Sequence, residues 1–465
     1  MPTACVLVAI TLFPGCKSLQ FGSPTELADF NAPGAWQSGA SGADAKISGG
    51  WVSDFNDAGM RRMIDKAMAN NRDLASAEAR MREAEFVAIA GRSRLLPQAR
   101  LATSGSFSVS ERGPLPARET ESYGLTVAAS WEADIWGRLR DLTAADSADL
   151  YASRASLRGA RLSLAASTAR AWCNLIAADQ QHELAKVILD SFERNLRISE
   201  RNYEGTGQGS IDVQFGRTNV AAAKRALESS QLARDEAART LEVLTGSYPS
   251  GTTRAGNELP SLRGSVPAGL PSELLDRRPD LAIARARIFS TAKRADAARK
   301  SLLPSLALTT SAGTPVDRFR QLLDPQWLAA SIAANIGQTL YAGGELSNQA
   351  RAALERNKAA ITDYEQAALE AFREVETALA ADRSLAAQEQ FLITEVEQAA
   401  LAEKQATRDY ADGIEGAGIL NVLESQRRAN NARSSLIRLR NSRLQNRIDL
   451  HLALGGDFKT REPSK

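Results

Sequence analysis

Asn71-Arg72-Asp73-Leu74-Ala75 returns later in the chain as Arg278-Pro279-Asp280-Leu281-Ala282, a shift of 207 residues from Asp73 to Asp280. At the same shift, with no gap, Ala77, Ala79 and Arg80 meet Ala284, Ala286 and Arg287. Arg92 meets Arg299, and Leu95-Leu96-Pro97 meets Leu302-Leu303-Pro304. Farther on, Gly137 and Leu139 fall on Gly344 and Leu346, and Tyr203 falls on Tyr410. Two inserted residues then carry Asp212-Val213 onto Asn421-Val422. Self-similarity at long period marks a supersecondary plan used twice. Ala-rich helices look alike by composition, but composition does not reproduce a Leu-Leu-Pro and a Tyr in the same order.

Each copy reads the same way. A helix over about 57–95 or 279–303 ends before Pro97 or Pro304, because Pro has no N–H to continue the helical ladder. Two stretches with a period of two follow, at about 98–112 and 120–136 in the first copy and 305–313 and 327–341 in the second. Their alternating positions are Leu101, Thr103, Gly105, Phe107, Val109, then Leu125, Val127, Ala129, Trp131, Ala133, Ile135, and later Leu306, Leu308, Thr310, Ala312, then Leu328, Ala330, Ile332, Ala334, Ile336. Pro-containing polar loops join each pair. Each stretch has the roughly 9–11 residues that a tilted strand needs to cross a bilayer. Trp131, Trp136, Trp327 and Tyr341 sit near strand ends, where interfacial aromatics are expected. Two soluble hairpins are the competing reading.

Long Pro-free segments come next, Arg138 to Tyr203 and Glu345 to Tyr410. At ~1.5 Å per residue each helix would rise about 100 Å. A 3-4 spacing runs along both: Leu157, Leu164, Thr168, Ala171, Leu175 and Ala178 against Tyr364, Ala371, Val375, Ala378, Asp382 and Leu385, broken at Arg161 and Asp382. Turns at 204–210 and 411–418 lead into return helices near Ile211 and Ile419. The domain plan is therefore a first repeat over 57–246, a Gly/Pro/Ser-rich linker over 247–270, a second repeat over 271–456 and a tail over 457–465.

The 465 residues carry a formal net charge of +2, with 24% charged and 6% aromatic residues. That excludes the basic field on which nucleic-acid binding depends. After the N-terminus no apolar run approaches the ~18 residues of a transmembrane helix. Catalytic readings fail: the two histidines, His182 and His451, lie in helices without Cys/His metal spacing. Gly205-Thr206-Gly207-Gln208-Gly209 lacks the Lys-Ser/Thr of a phosphate loop and joins two helices. No cofactor or metal is expected, and the chain does not read as an enzyme.

The apolar run Ala4 to Phe13 suits a signal peptide over 1–15. It ends in Pro14-Gly15-Cys16, which resembles the lipobox of bacterial lipoproteins, with 16–56 as a lipid-anchored segment. Phe13 and Pro14 depart from the usual pattern, and an ordinary signal peptide with an incidental Cys16 is the alternative. Acyl chains would add about 0.8 kcal/mol of membrane affinity per buried CH₂. Cys173 reads as a small buried hydrophobe.

Four strands cannot close a barrel, and open sheet edges cannot face lipid, so spanning strands require several copies to share one cylinder. The repeated plan resembles the TolC/OprM outer-membrane factor family, and so do Trp131-Glu132-Ala133-Asp134-Ile135-Trp136-Gly137 and Leu340-Tyr341-Ala342-Gly343-Gly344. The lipobox and Arg277-Arg278-Pro279-Asp280-Leu281 are most similar to its NodT-like branch of efflux lipoproteins that serve RND pumps. The resemblance implies a mainly α protein with a β-barrel part: a homotrimer whose twelve membrane strands continue into a long α-helical barrel. It also implies outer-membrane lipid around the strands, a periplasmic adaptor and an inner-membrane RND transporter as partners, and passage of small molecules outward.

By the same resemblance, Asp212, Asn421 and Glu424 ring the periplasmic aperture, where three-fold like charge would raise the acids' pKa. Asn421 stands where an acid is usual. An N-cap role for Asp212 and a solvated helix face for Glu424 are the plainer alternatives. Tyr203, Gly205, Gly207, Tyr410, Gly413 and Gly416 mark the hairpin tips that would meet the adaptor, with turn chemistry as the competing account of the glycines. Type I protein secretion and a periplasmic coiled-coil scaffold are the rival functions.

Overall fold

The computed structural model describes residues 33–38, 50–111, 113, 117–206, 209–256, 258–262, 264, 266, 271–412, 414 and 418–456. The expected signal peptide, Cys16, Gly207, Gly413, Gly416 and the C-terminal tail lie outside the described residues. The chain forms two compact units.

The first unit holds the sheet with the helix segments next to it, Phe86–Asp149 and Ala286–Thr362. Strands β1 (Gln98–Ser110), β2 (Arg118–Ala133), β3 (Ser305–Val316) and β4 (Ala329–Gly337) pair antiparallel in the order β1-β2-β3-β4. The two copies therefore share one sheet, joined at β2 and β3, rather than forming separate hairpins. The register sets Leu101 opposite Val127, Val127 opposite Ala312, and Ala312 opposite Ala330. It likewise aligns Trp131, Leu308 and Ala334. Paired residues share a face, so the alternating positions that fall within the strands collect on one mostly apolar side, with Glu121 and Glu119 opposite Phe107 and Val109 at its loop end, while Ile135 and Leu328 lie outside the strands. Arg100, Ser104, Ser106, Thr126, Ser130, Thr309, Ser311, Ser331 and Asn335 occupy the other. Every residue of β1 and β4 is exposed in the single chain, Ile332 by 87%.

The strand limits differ from the sequence reading: β1 ends at Ser110 and β2 runs from Arg118 to Ala133, shifts of two or three residues, and β3 and β4 differ for reasons the structure shows. β3 runs to Val316, past Pro315, because β4 stops opposite Gly313. There β3 has a neighbour on one side only, the setting in which a sheet tolerates Pro. β4 is shorter than 327–341: Pro325–Trp327 forms a 3-10 turn, capped by the Asp324 carboxylate on the Gln326 amide at 3.0 Å.

The repeat survives at the level of single hydrogen bonds. Trp131 Nε1 donates to the Leu95 carbonyl at 2.9 Å, and Gln338, its counterpart, donates to that of Leu302 at 3.3 Å. Gly137 and Gly344 are both left-handed, with φ of 77° and 85°, directly before the long helices α3 (Arg138–Thr206) and α7 (Glu345–Ala411).

The second unit comprises Asp29–Glu85, Leu150–Arg285 and Asp363–Lys465. The first helix is not continuous over 57–95. α1 (Ala58–Asn70) and α2 (Arg72–Ser93) break at Asn71, whose extended backbone ends one helix while its side chain caps the next through the Leu74 amide at 2.9 Å. Asn71 Nδ2 also donates to the carbonyl of Leu244, the last residue of α4 (Ser210–Leu244), at 3.0 Å. The second copy breaks at the same place, between α5 (Pro271–Arg277) and α6 (Pro279–Lys300). There Arg278 donates to the carbonyl of Ala453, the last residue of α8 (Ile419–Ala453), at 3.1 Å.

The core is built where α1, α3, α4 and α8 pack. Phe55, Met60, Ile64, Trp172, Leu175, Ile176, Leu241 and Ile448 are at most 5% exposed. Each large apolar side chain so buried stabilises by about 1.5–3 kcal/mol. Asp57 caps α1 through the Gly59 and Met60 amides and accepts from Trp172 Nε1 at 2.8 Å, which draws α3 onto the start of α1. Of the seam residues, Leu157, Leu164, Thr168, Ala171, Leu175, Tyr364, Ala371, Val375 and Ala378 are buried, and Ala178, Asp382 and Leu385 are half-buried. Cys173 is fully buried, and burial first, then Asp57, pushes its thiol up to about 12. Residues 33–38 lie against α7: Trp36 meets Phe372, and the Gln37 and Ser38 amides donate to the two Glu376 carboxylate oxygens at 2.8 and 2.7 Å.

Candidate functional site

Two hairpin tips, both in the second unit, carry the residues assigned to the aperture and the adaptor contact. α3 ends at Thr206 and α4 begins at Ser210, while α7 ends at Ala411 and α8 begins at Ile419. Among the described residues of the first tip the left-handed one is Gly209, with φ of 89°. Gly205 is still helical and has ordinary φ, so the expectation of a turn glycine there is corrected. The chain reverses only after α3 has run its course. Tyr203 is 44% exposed and Tyr410 is half-buried.

Gly209, not Asp212, precedes α4 as its N-cap, and the Asp212 amide donates to the Gly209 carbonyl at 3.0 Å. Asp212 thus stands in the first turn, where a carboxylate gains about 0.3–1 kcal/mol from the helix dipole. Asn421 takes the matching place in α8, exposed, its amide donating to the Gly418 carbonyl at 3.0 Å.

Glu424 departs most from expectation. Arg427 grips both its oxygens, at 2.8 and 2.9 Å, and Arg428 Nε adds a bond of 2.7 Å. The spacing is i,i+3 and i,i+4, the separations that meet on one helix face. The Arg427 hydrogen bonds, then those from Arg428, bring the carboxyl down to about 2. Within the single chain the acid is held charged and its charge is more than offset by the two guanidiniums, whereas the rise expected in sequence belongs to a three-fold ring of like charges. The pair was legible in Glu424-x-x-Arg427-Arg428, but the sequence reading weighed the acid alone.

Below this turn α8 is locked to α3. Gln426, 3% exposed, accepts from Asn195 Nδ2 at 2.8 Å and donates to Ser191 Oγ at 3.2 Å. Glu200–Arg217 and Glu193–Lys224, at 3.3 and 3.6 Å, link α3 to α4. Between the three helices lies a recess of about 600 Å³, lined by Ile188, Phe192, Phe215, Leu420, Leu423 and Arg427, with Glu424 also on its wall. The structure thus brings Glu424 beside the α4 residue Phe215. Among the described residues, no group of three or more His, Cys, Asp or Glu is placed to hold a metal ion, and no helix is long and apolar enough to cross a membrane.

This architecture, a four-stranded sheet shared by two copies of a long helical hairpin, is the fold of outer-membrane channels. The Campylobacter jejuni CmeC outer membrane channel superposes with a TM-score of 0.88 at 22% identity, covering 95% of this chain and 96% of that one. The chain belongs to the outer membrane efflux protein family, whose profile matches residues 63–247 and 270–456, one span on each repeat. The pyoverdine export outer membrane protein OpmQ of Pseudomonas putida KT2440 is 31% identical over 93% of both chains. The cation efflux system protein CusC of Escherichia coli K12 is 27% identical over 89% of this chain and 90% of its own. The protein is an outer-membrane efflux channel component, and its family is one of transport rather than catalysis.

Proposed function

We propose that the chain is one protomer of a homotrimeric channel, anchored by acylated Cys16, that carries small molecules outward from an inner-membrane RND transporter through a periplasmic adaptor. The carrying observation is the sheet: β1 and β4 each have a neighbour on one side only, and the apolar positions of all four strands share one face. In lipid each unpaired backbone group costs several kcal/mol. Three copies joined β4 to β1 keep every pairing antiparallel and supply twelve strands, within the known range of membrane barrels. Relatives named for pyoverdine export and for cation efflux support a conduit whose cargo is chosen elsewhere in the pump. Asp212, Asn421 and Glu424 then line the aperture, and the tips around Tyr203, Gly205, Gly207, Tyr410, Gly413 and Gly416 meet the adaptor.

The mature protein is expected to extract only with detergent, to migrate as a heat-dissociable trimer and to conduct in planar bilayers. A detergent-independent monomer without conductance refutes the assignment. Metabolic labelling with palmitate reads the anchor: Cys16→Ala should lose the label while the trimer persists.

A further inference from the structure

The side chains of the first turns of α8 are not those of an acid ring. Among Ile419–Arg428 the ionisable residues are Glu424, Arg427 and Arg428, one acid against two guanidiniums. Both arginines point outward, with side chains 62% and 73% exposed, and both touch the same carboxylate. One carboxylate neutralises one guanidinium and leaves the other in excess. On α4 the first-turn acid is Asp212, and Arg217 is engaged by Glu200. If Glu424 faces the pore, as the proposed function holds, Arg427 and Arg428 face it too, since i+3 and i+4 lie on the same side of a helix. Three-fold symmetry then sets a layer with excess positive charge just inside any Asp212 ring.

We infer that Arg427 and Arg428 are selectivity-determining residues, which shift the aperture from cation preference toward organic anions. The recess beside Arg427 fits that class. Phe192, Phe215, Ile188, Leu420 and Leu423, with three asparagines between them, offer a flat apolar body a part-exposed surface, and on its rim the Arg427–Arg428 pair, one positive charge beyond what Glu424 neutralises, meets a sulfonate or carboxylate. An organic cation of the same shape gains the apolar contact but meets a net positive charge, because the one acid on the wall, Glu424, is already shared by two guanidiniums. The inference rests on the aperture assignment, so its test separates the two.

Asn421→Cys, with the unsubstituted channel as control, is treated in planar bilayers with a charged methanethiosulfonate reagent. Reversal potential is measured across a tenfold KCl gradient for the wild-type channel and for the double variant Arg427→Gln/Arg428→Gln. Both arginines are exposed, so the variant should fold, which the trimer band checks. Expected are block of Asn421→Cys, a reversal-potential shift toward cation selectivity in the double variant, and stronger block of the wild type by 1-naphthalenesulfonate than by 1-naphthylmethylammonium. Block of Asn421→Cys with no shift in the double variant, or with the two naphthyl ions equal, overturns the selectivity role and leaves the aperture standing. Absence of block at Asn421→Cys removes the aperture assignment, and the inference with it.

Discussion

Glu242 shows how one residue organises a segment that has no regular structure. It is 3% exposed near the end of α4. Its carboxylate accepts from the Gly251, Thr252 and Thr253 amides at 2.7, 3.0 and 3.0 Å, and from the Thr253 and Ser250 hydroxyls at 2.9 and 3.2 Å. Burial alone pushes the acid up; the donors outweigh it and bring the carboxyl from 4.5 to about 2. A depressed acid stabilises the fold fully above its unfolded value and progressively less as pH falls through its folded one. Glu242→Gln should therefore cost about 2–3 kcal/mol near neutral pH, the scale of charge-assisted hydrogen bonds left unmet. The deficit should shrink as pH drops from 4.5 toward 2, read as converging melting temperatures of the two proteins in detergent. Nothing in the sequence marks this Glu out, because its five donors come from eight to eleven residues further on, in a Gly/Pro/Ser-rich linker without periodicity. The same holds for Arg447, 1% exposed, which donates to the Gly264 carbonyl at 2.8 Å, and for His451, bonded to Asp54 at 3.1 Å across 397 residues.

At the scale of elements the sequence was far more legible. Period-two positions found their common face because side-chain alternation is a local property, and register then follows from matching those faces. Long Pro-free helices were equally plain. The break at Asn71 was missed because the helical pattern resumes at once on its far side. The kink is made by contact with α4, a tertiary cause. Gly246 and Gly455 close the two copies in the same way, both left-handed, with φ of 67° and 70°. A Cβ on Gly246 would stand 2.5 Å from the Asn70 carbonyl oxygen, and one on Gly455 would stand 3.1 Å from the Arg277 carbonyl carbon. A left-handed non-glycine costs roughly 1–2 kcal/mol before any overlap. Gly246→Ala should accordingly lower the melting temperature more than Gly455→Ala, and equal losses would mean that the Asn70 contact relaxes freely. The hairpin tips were legible as turns but not in detail, since helix ends there depend on which Gly takes positive φ, and among the described residues of the first tip that is Gly209 rather than Gly205.

For the whole molecule the decisive property is that the sheet has two chemically different sides. Ile332 and Ser331 are adjacent in β4 and sit on opposite faces. Ile332→Lys places a charge on the apolar face, at a cost of about 2–4 kcal/mol near the bilayer midplane. It should reduce the heat-dissociable trimer in outer-membrane fractions. Ser331→Lys should leave the trimer intact and alter conductance. If both variants assemble equally, the apolar side does not meet lipid. Oligomer number was the part least accessible from one chain: unmet edges demand partners, but only comparison with the family points to three.

The union of β2 with β3 carries one more implication. That junction joins the end of one copy's hairpin to the beginning of the other's, within a single polypeptide. A polypeptide of half this length, bearing β1 and β2 alone, would present the same two raw borders, and six of them would complete the same ring. Gene fusion would then have stitched shut every second joint, halving the joints between separate chains and leaving three for a trimer to seal by diffusion.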